Sequence, residues 1–206
     1  MILIIGDKNL LKWPLAQNQG FATISLSGRV INPLNLQGVA NVDLVNGHTA
    51  LRTSSSGQYI FDQVPVASGI RMTAPALNRT LIILPPKGST GTNFNIYFNQ
   101  DLFNTLIKII DLESRKQLAD VYNYLPTNVK TKISSTDFEK ITTTIFNTEN
   151  TSDQEIKIKT IHLLDKWTAE NYDLSFSKII QIAVSANGQD GQYQFINEKG
   201  NWELIK

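Results

Sequence analysis

The chain contains no cysteine. That excludes disulfides, iron–sulfur clusters, thiolate zinc sites and cysteine nucleophiles. It also lacks an excess of either charge: 19 Lys and Arg stand against 18 Asp and Glu, a formal net charge of +1. The signs are interspersed without a block, so nothing would neutralise a phosphate backbone, and nucleic acid is not an expected partner. No apolar run approaches the ~20 residues of a membrane helix, so no membrane span is expected. Histidine occurs only twice, at His48 and His162, which leaves no metal-spaced pair. No phosphate loop or nucleophile elbow is found either. Neither metal nor cofactor is expected, and no residue is assigned a catalytic role.

What remains is ample material for packed cores. The chain has 206 residues, of which 41% are hydrophobic, enough for two domains of about 100 residues each or for one larger one. The start, Met1-Ile2-Leu3-Ile4-Ile5, is apolar but is interrupted by Gly6-Asp7-Lys8. It lacks the basic start and apolar core of ~7–15 residues of a signal peptide. The expectation is a soluble chain in which residues 1–20 form an arm or an added strand. Pro14 argues against one continuous element there.

Residues 21–99 alternate with a period of two. Ile24, Leu26 and Val30 share a face, as do Ala40, Val42 and Leu44. Tyr59 with Phe61, Ile70 with Met72 and Ala74, and Phe94 with Ile96 and Phe98 repeat the pattern, and Leu81-Ile82-Ile83-Leu84 is a further strand. Asn46-Gly47 reads as a tight turn with φ > 0 at both positions, and Ser54-Ser55-Ser56-Gly57 as the next. Seven short strands at roughly ten-residue spacing predict a β-sandwich. Within this region Gly28-Arg29-Val30, Gly38-Val39-Ala40-Asn41-Val42, Thr53 to Phe61 and Val64-Pro65 stand in order. This segment resembles the carboxypeptidase regulatory-like domains, which are transthyretin-like (prealbumin-like) sandwiches. The resemblance covers about 75 residues and departs after Val64-Pro65, where Ala67-Ser68-Gly69-Ile70 replaces the usual Gly-x-Tyr ending. It implies an accessory module without an active site, in a bacterial protein exported to the periplasm, the cell surface or the medium.

At Gln100 the period changes. Leu102, Phe103, Leu106, Ile109 and Ile110 fall at helical spacing, and Leu118, Val121, Tyr122 and Leu125 follow before Pro126. Thr136-Asp137-Phe138-Glu139 fits a capping box, with Phe138, Ile141 and Ile145 as a stripe behind it. Strands are then expected at Ile156 to Leu164, at Ile180 to Val184, at Tyr193 and Phe195, and at Trp202 and Leu204, with a turn at Asn187 to Gly191. Helices followed by an antiparallel meander predict an α+β domain over 100–206. The segments Asp120 to Pro126, Ser135 to Phe138, Gly191 to Phe195 and Gly200 to Leu204 resemble the cystatin-like α+β cone with a curved antiparallel sheet of the SnoaL-like, or nuclear-transport-factor-two-like, superfamily. That fold hosts isomerases, dehydratases, hydrolases and plain binding modules, so it does not give the function.

Candidate site residues follow from this reading. His48 lies in a turn and is expected to be solvated. His162 is in phase with Ile156 and Ile158 and is expected to face the cone interior; Asp165, three residues on, points the other way. Tyr122, Tyr124, Trp167, Tyr172, Tyr193 and Trp202 are amphipathic aromatics that either line a pocket or pack the core; Tyr122, Tyr124, Trp167 and Tyr193, with His162, are the candidate ligand-binding residues. Asn78-Arg79-Thr80 and Asn150-Thr151-Ser152 match glycosylation sequons, as chance often provides. The expected function is a non-catalytic binding or scaffolding protein of the cell envelope, with a protein or small-molecule partner. One alternative is a hydrolase or isomerase built in the cone pocket, which needs buried ionisable groups in hydrogen-bond reach of one another, His162 among them. Another is an oligomeric structural subunit pairing through the C-terminal sheet.

Overall fold

The computed structural model describes residues 23–65, 69–73, 80–85, 93–142, 155–169, 174–186 and 189–205. The expected arm at 1–20, the stripe residue Ile145, the aromatic Tyr172, the turn residues Asn187 and Gly188, and the sequon residues Asn78, Arg79, Asn150, Thr151 and Ser152 lie outside them.

Among the described residues seven strands precede residue 99, as the alternation predicts. They are β1 (Thr23–Ile31), β2 (Asp43–Asn46), β3 (Thr49–Arg52), β4 (Gln58–Pro65), β5 (Ile70–Thr73), β6 (Leu81–Ile83) and β7 (Ile96–Tyr97). They divide into a small sheet, β4-β1-β7, and a set ordered β6-β5-β2-β3. Alternation sends Leu26, Val30, Tyr59 and Phe61 from the first, and Leu44, Ile70, Met72 and Leu81 from the second, into a shared core, all 3% exposed or less. The arrangement is β-sandwich-like. At the β3–β4 turn Gly57 adopts φ +78, and a Cβ there would collide with the Val30 carbonyl. The β2–β3 turn sits one residue later than expected: Asn46 pairs with Thr49, so Gly47 and His48 form it and Gly47 alone takes positive φ. His48 is exposed there.

The helices follow: α1 (Gln100–Ser114), α2 (Leu118–Tyr122), α3 (Thr127–Lys130) and α4 (Ser135–Ile141). Four antiparallel strands come next, β8 (Ile156–Ala169), β9 (Leu174–Ala186), β10 (Gln189–Glu198) and β11 (Asn201–Leu204). Among the described residues no helix is long and apolar enough to cross a membrane. The apolar stripe of α1, from Leu102 through Leu106 to Ile110, lies on the meander. Helix α4 starts two residues before the expected frame. Its cap is Ser134, whose hydroxyl accepts from Asp137 N at 3.1 Å. The stripe expected behind it is partial: Phe138 packs on the core, but Ile141 is 60% exposed.

One connection is not local. β6 pairs in parallel with the first turn-free stretch of β8, Leu81 opposite Ile156 and Ile83 opposite Ile158. A single eight-stranded sheet results, ordered β11-β10-β9-β8-β6-β5-β2-β3, and it joins both halves of the chain. Leu81, Ile82 and Ile83 are all buried, as befits a strand covered on both faces. Residues 99 and 100, where a domain boundary is expected, lie at the start of α1. There Asn99 caps the helix, its Oδ1 accepting from Leu102 N, and the same oxygen accepts from Trp202 Nε1 on β11, both at 3.0 Å. The Phe98 and Phe103 rings stack across the same junction, 5.5 Å apart.

Candidate functional site

The interior between α1 and the meander is filled. Phe103, Leu106, Ile110, Val121, Ile182 and Phe195 occupy it, each 1% exposed or less. Two ionisable groups sit among them. Glu113 continues the apolar stripe of α1 at i+3 from Ile110, and Tyr193 comes from β10. The Tyr193 hydroxyl donates to Glu113 Oε2 at 2.6 Å, with the two residues 1% and 3% exposed. Burial pushes the Glu113 carboxyl up to about 7, and the tyrosine hydrogen bond partly opposes it. The Tyr193 phenol is driven upward as well, by burial first and by the neighbouring carboxylate second. Such a pair has the electrostatics of a general acid, but its burial leaves a substrate no approach.

His162 is not part of this pair, contrary to its phase in the sequence. A β-bulge lies between Ile158 and Thr160: Ile158 pairs with Val184, but Thr160 pairs with Ala183, so Lys159 is an extra residue. Every side chain beyond it changes face. Ile161 takes the inward position, and His162 is exposed opposite Gln181. His162 borders a cleft of about 230 Å³ where β7 approaches β8, lined otherwise by groups such as Ile83, Phe94, Ile96 and Ile161. Trp167 pairs with Phe176 on the β8–β9 ladder, and its side chain lies outside the described residues.

Tyr122 serves the scaffold. Its hydroxyl donates to Ile133 O at 2.8 Å and lies 3.3 Å from Lys130 O, and its ring meets Phe138 at 5.8 Å. These contacts clamp α2, α3 and α4 together. Tyr124, two residues later, lines a cleft of a different kind.

This cleft, of about 560 Å³, opens at the edge of the sheet beyond β11. Asp101 and Thr105 come from the first turns of α1, Asn123 and Tyr124 from the end of α2, and Asn201 to Glu203 from the β10–β11 hairpin. The hairpin turns tightly because Lys199 (φ +51) and Gly200 (φ +89) both take positive φ. All three walls are pinned. Asn99 ties α1 to Trp202, and Leu204 N donates to Tyr124 O at 2.8 Å. Glu203 Oε2 is buried and has no hydrogen-bond partner. Burial pushes this carboxyl above its ordinary range and Glu198 adds to the rise, while Lys130 opposes it. Burial, then Asp120, raises the Tyr124 phenol. Its two charged lining residues are both carboxylates, Asp101 and Glu203.

The four candidates whose side chains are described therefore lie in separate places. Tyr193 is in the core, Tyr122 braces helices, His162 flanks the smaller cleft, and Tyr124 alone lines the larger one. Glu113 was legible only as the acid that extends the α1 stripe. Asp101 and Glu203 carried no local signal, since three separate segments bring them to one cleft. Among the described residues no three His, Asp or Glu side chains cluster to hold a metal ion. Compared with known proteins, the chain matches no family model, no curated protein and no solved structure.

Proposed function

We propose that the chain is a non-catalytic binding protein that takes a polar ligand in the cleft at the β11 edge. The observation that carries this reading is the contrast in access. The buried Glu113–Tyr193 pair is closed off by packed side chains, whereas Asp101, Asn123, Tyr124, Asn201 and Glu203 surround an open volume. That volume lies within the ~300–1,000 Å³ usual for small-ligand sites. Placement at the bacterial cell envelope or outside the cell is part of the same proposal and rests on the resemblance of residues 21–99 to exported accessory sandwiches. A pocket enzyme is the second reading. What favours it is the Glu113 carboxyl, which burial pushes up to about 7 beside the Tyr193 hydroxyl.

The test is a set of ¹H–¹⁵N correlation spectra recorded while a library of small polar compounds and short peptides is added. The expected outcome is shifts at Tyr124 and at 201–203, with the bound compound recovered chemically unchanged. Turnover of a compound, abolished by Glu113→Gln, would instead establish the enzyme reading.

A further inference from the structure

The lining of the β11-edge cleft narrows the ligand class, an inference that rests on the binding reading above. Asp101 and Glu203 repel phosphates and carboxylates, so anionic ligands are disfavoured. A simple amine would answer the two acids but nothing else: an ammonium group has three donors and no acceptor. The side-chain amides of Asn123 and Asn201 each bring two N–H donors as well as an acceptor. Thr105 adds a hydroxyl that works both ways. A ligand that satisfies the whole set must donate to carboxylates and accept from amides through the same kind of group. Hydroxyl groups do this, and adjacent hydroxyls on a ring can meet the two oxygens of one carboxylate. Glu203 lines the cleft as a second acid beside Asp101, although its Oε2 is itself enclosed by protein, and a half-buried tyrosine ring, Tyr124, lines it too. An aromatic face next to planar polar groups suits a molecule with an apolar ring face and a hydroxylated edge.

We infer that the cleft formed by Asp101, Thr105, Asn123, Tyr124, Asn201 and Glu203 binds a neutral carbohydrate. Glu203 and Asp101 accept from its hydroxyls, the asparagine amides donate to them, and Tyr124 covers a sugar face.

The experiment titrates the full chain with neutral oligosaccharides of glucose, mannose, xylose and N-acetylglucosamine, with a uronic-acid oligosaccharide, and with spermidine. Binding is read by calorimetry and by ¹H–¹⁵N shifts at 123–124 and 201–203. At least one neutral oligosaccharide is expected to bind and to shift those signals. Glu203→Gln should weaken it about tenfold, the size expected for losing a hydrogen bond to a charged acceptor. Asp101→Asn, at an exposed position in the first turn of α1, should weaken it less, and both variants should melt within a few degrees of the parent. If spermidine or the uronic-acid oligosaccharide shifts the cleft signals while no neutral sugar does, the carbohydrate assignment is overturned and the binding reading stands. If none of these probes, nor the compound and peptide library, perturbs the cleft, both fall.

Discussion

Glu113 and Glu203 are two glutamates that burial makes reluctant to ionise, in two regions that treat them differently. Glu113 lies deep under α1 and has one donor, the Tyr193 hydroxyl. Glu203 lies at a sheet edge, with one oxygen turned inward and without a donor, beside an open cleft. A buried acceptor left unpaired costs about 1–3 kcal/mol, so a fold tends to pair it or to leave a ligand the task. The first acid has been paired by the fold itself. The second acid lines an open cleft, although its unpaired oxygen is itself enclosed. Perturbed ionisation alone therefore does not mark a site; access separates the two cases.

The sharpest way to break the comparison is to remove the partner in the core. Tyr193→Ala takes away a ring that is 1% exposed and leaves Glu113 without its donor. We expect a loss of about 3–5 kcal/mol, the range for deleting a buried aromatic side chain, read as a shift of the urea midpoint. A loss under about 1 kcal/mol would mean that the core around Glu113 is wet and open, which would revive it as a chemical site.

The next effect is a pH dependence that only Glu113 should show. Its carboxyl titrates near 4.5 in an unfolded chain and at about 7 in the folded one. Below pH 4.5 both states hold the proton, and the stability is complete. As the pH rises from about 4.5 to 7 the unfolded chain releases the proton and the folded chain keeps it. Folding is therefore weakened across that window, by up to roughly 3 kcal/mol, and the loss levels off above it. Other carboxylates change with pH too, among them Asp43 and Asp190, whose pairing with Arg52 and Lys159 lowers their pKa values and works in the opposite sense. The informative quantity is thus the difference from Glu113→Gln. Melting the two proteins at pH 4.5, 6 and 7.5 should show the parent falling relative to the variant. Parallel curves would place Glu113 in contact with water.

How far these regions were legible in the sequence depends on the range of the physics involved. Period-two runs such as Tyr59 with Phe61 and Ile70 with Met72, and the helical stripe from Leu102 to Ile110, report local burial and found their elements. The continuous run Leu81-Ile82-Ile83 carried a hint of a strand covered on both faces, but not of its partner, because the pairing with Ile156–Ile158 joins segments far apart in the chain. His162 failed for a sharper reason. One extra residue at Lys159 inverts every later side chain, and no residue type there announces a bulge. The cleft was the least visible, since Asp101, Asn123 and Glu203 meet only after α1, α2 and the final hairpin are in place.

A third prediction lies on the hinge between the two regions. Asn99 caps α1 and holds the Trp202 indole with one oxygen. Asn99→Ala removes the cap and leaves a nearly buried indole N–H without a partner, and it should cost about 1–2 kcal/mol. The cleft wall built on Trp202 and Glu203 should loosen in the same variant. Hydrogen exchange at 202–204 is expected to quicken while exchange at 193–195 changes little. Equal acceleration at both places would show that core and cleft open as one unit.

The smallest effect completes the contrast. Glu203→Gln replaces a carboxylate whose charge is disfavoured by burial and by Glu198 with a neutral group of the same shape. Removing a strained charge and keeping the packing should leave stability within about 0.5 kcal/mol of the parent, with any change favourable. A group selected to hold the fold together would not behave in this way, and Glu113's partner Tyr193 should not. If Glu203→Gln instead costs more than about 1 kcal/mol, the Glu203 carboxylate belongs to the scaffold, and the cleft loses one of its two acids. If the change is neutral for folding but damaging for binding, the two glutamates part as the geometry says: one held by the fold, the other held open for a ligand.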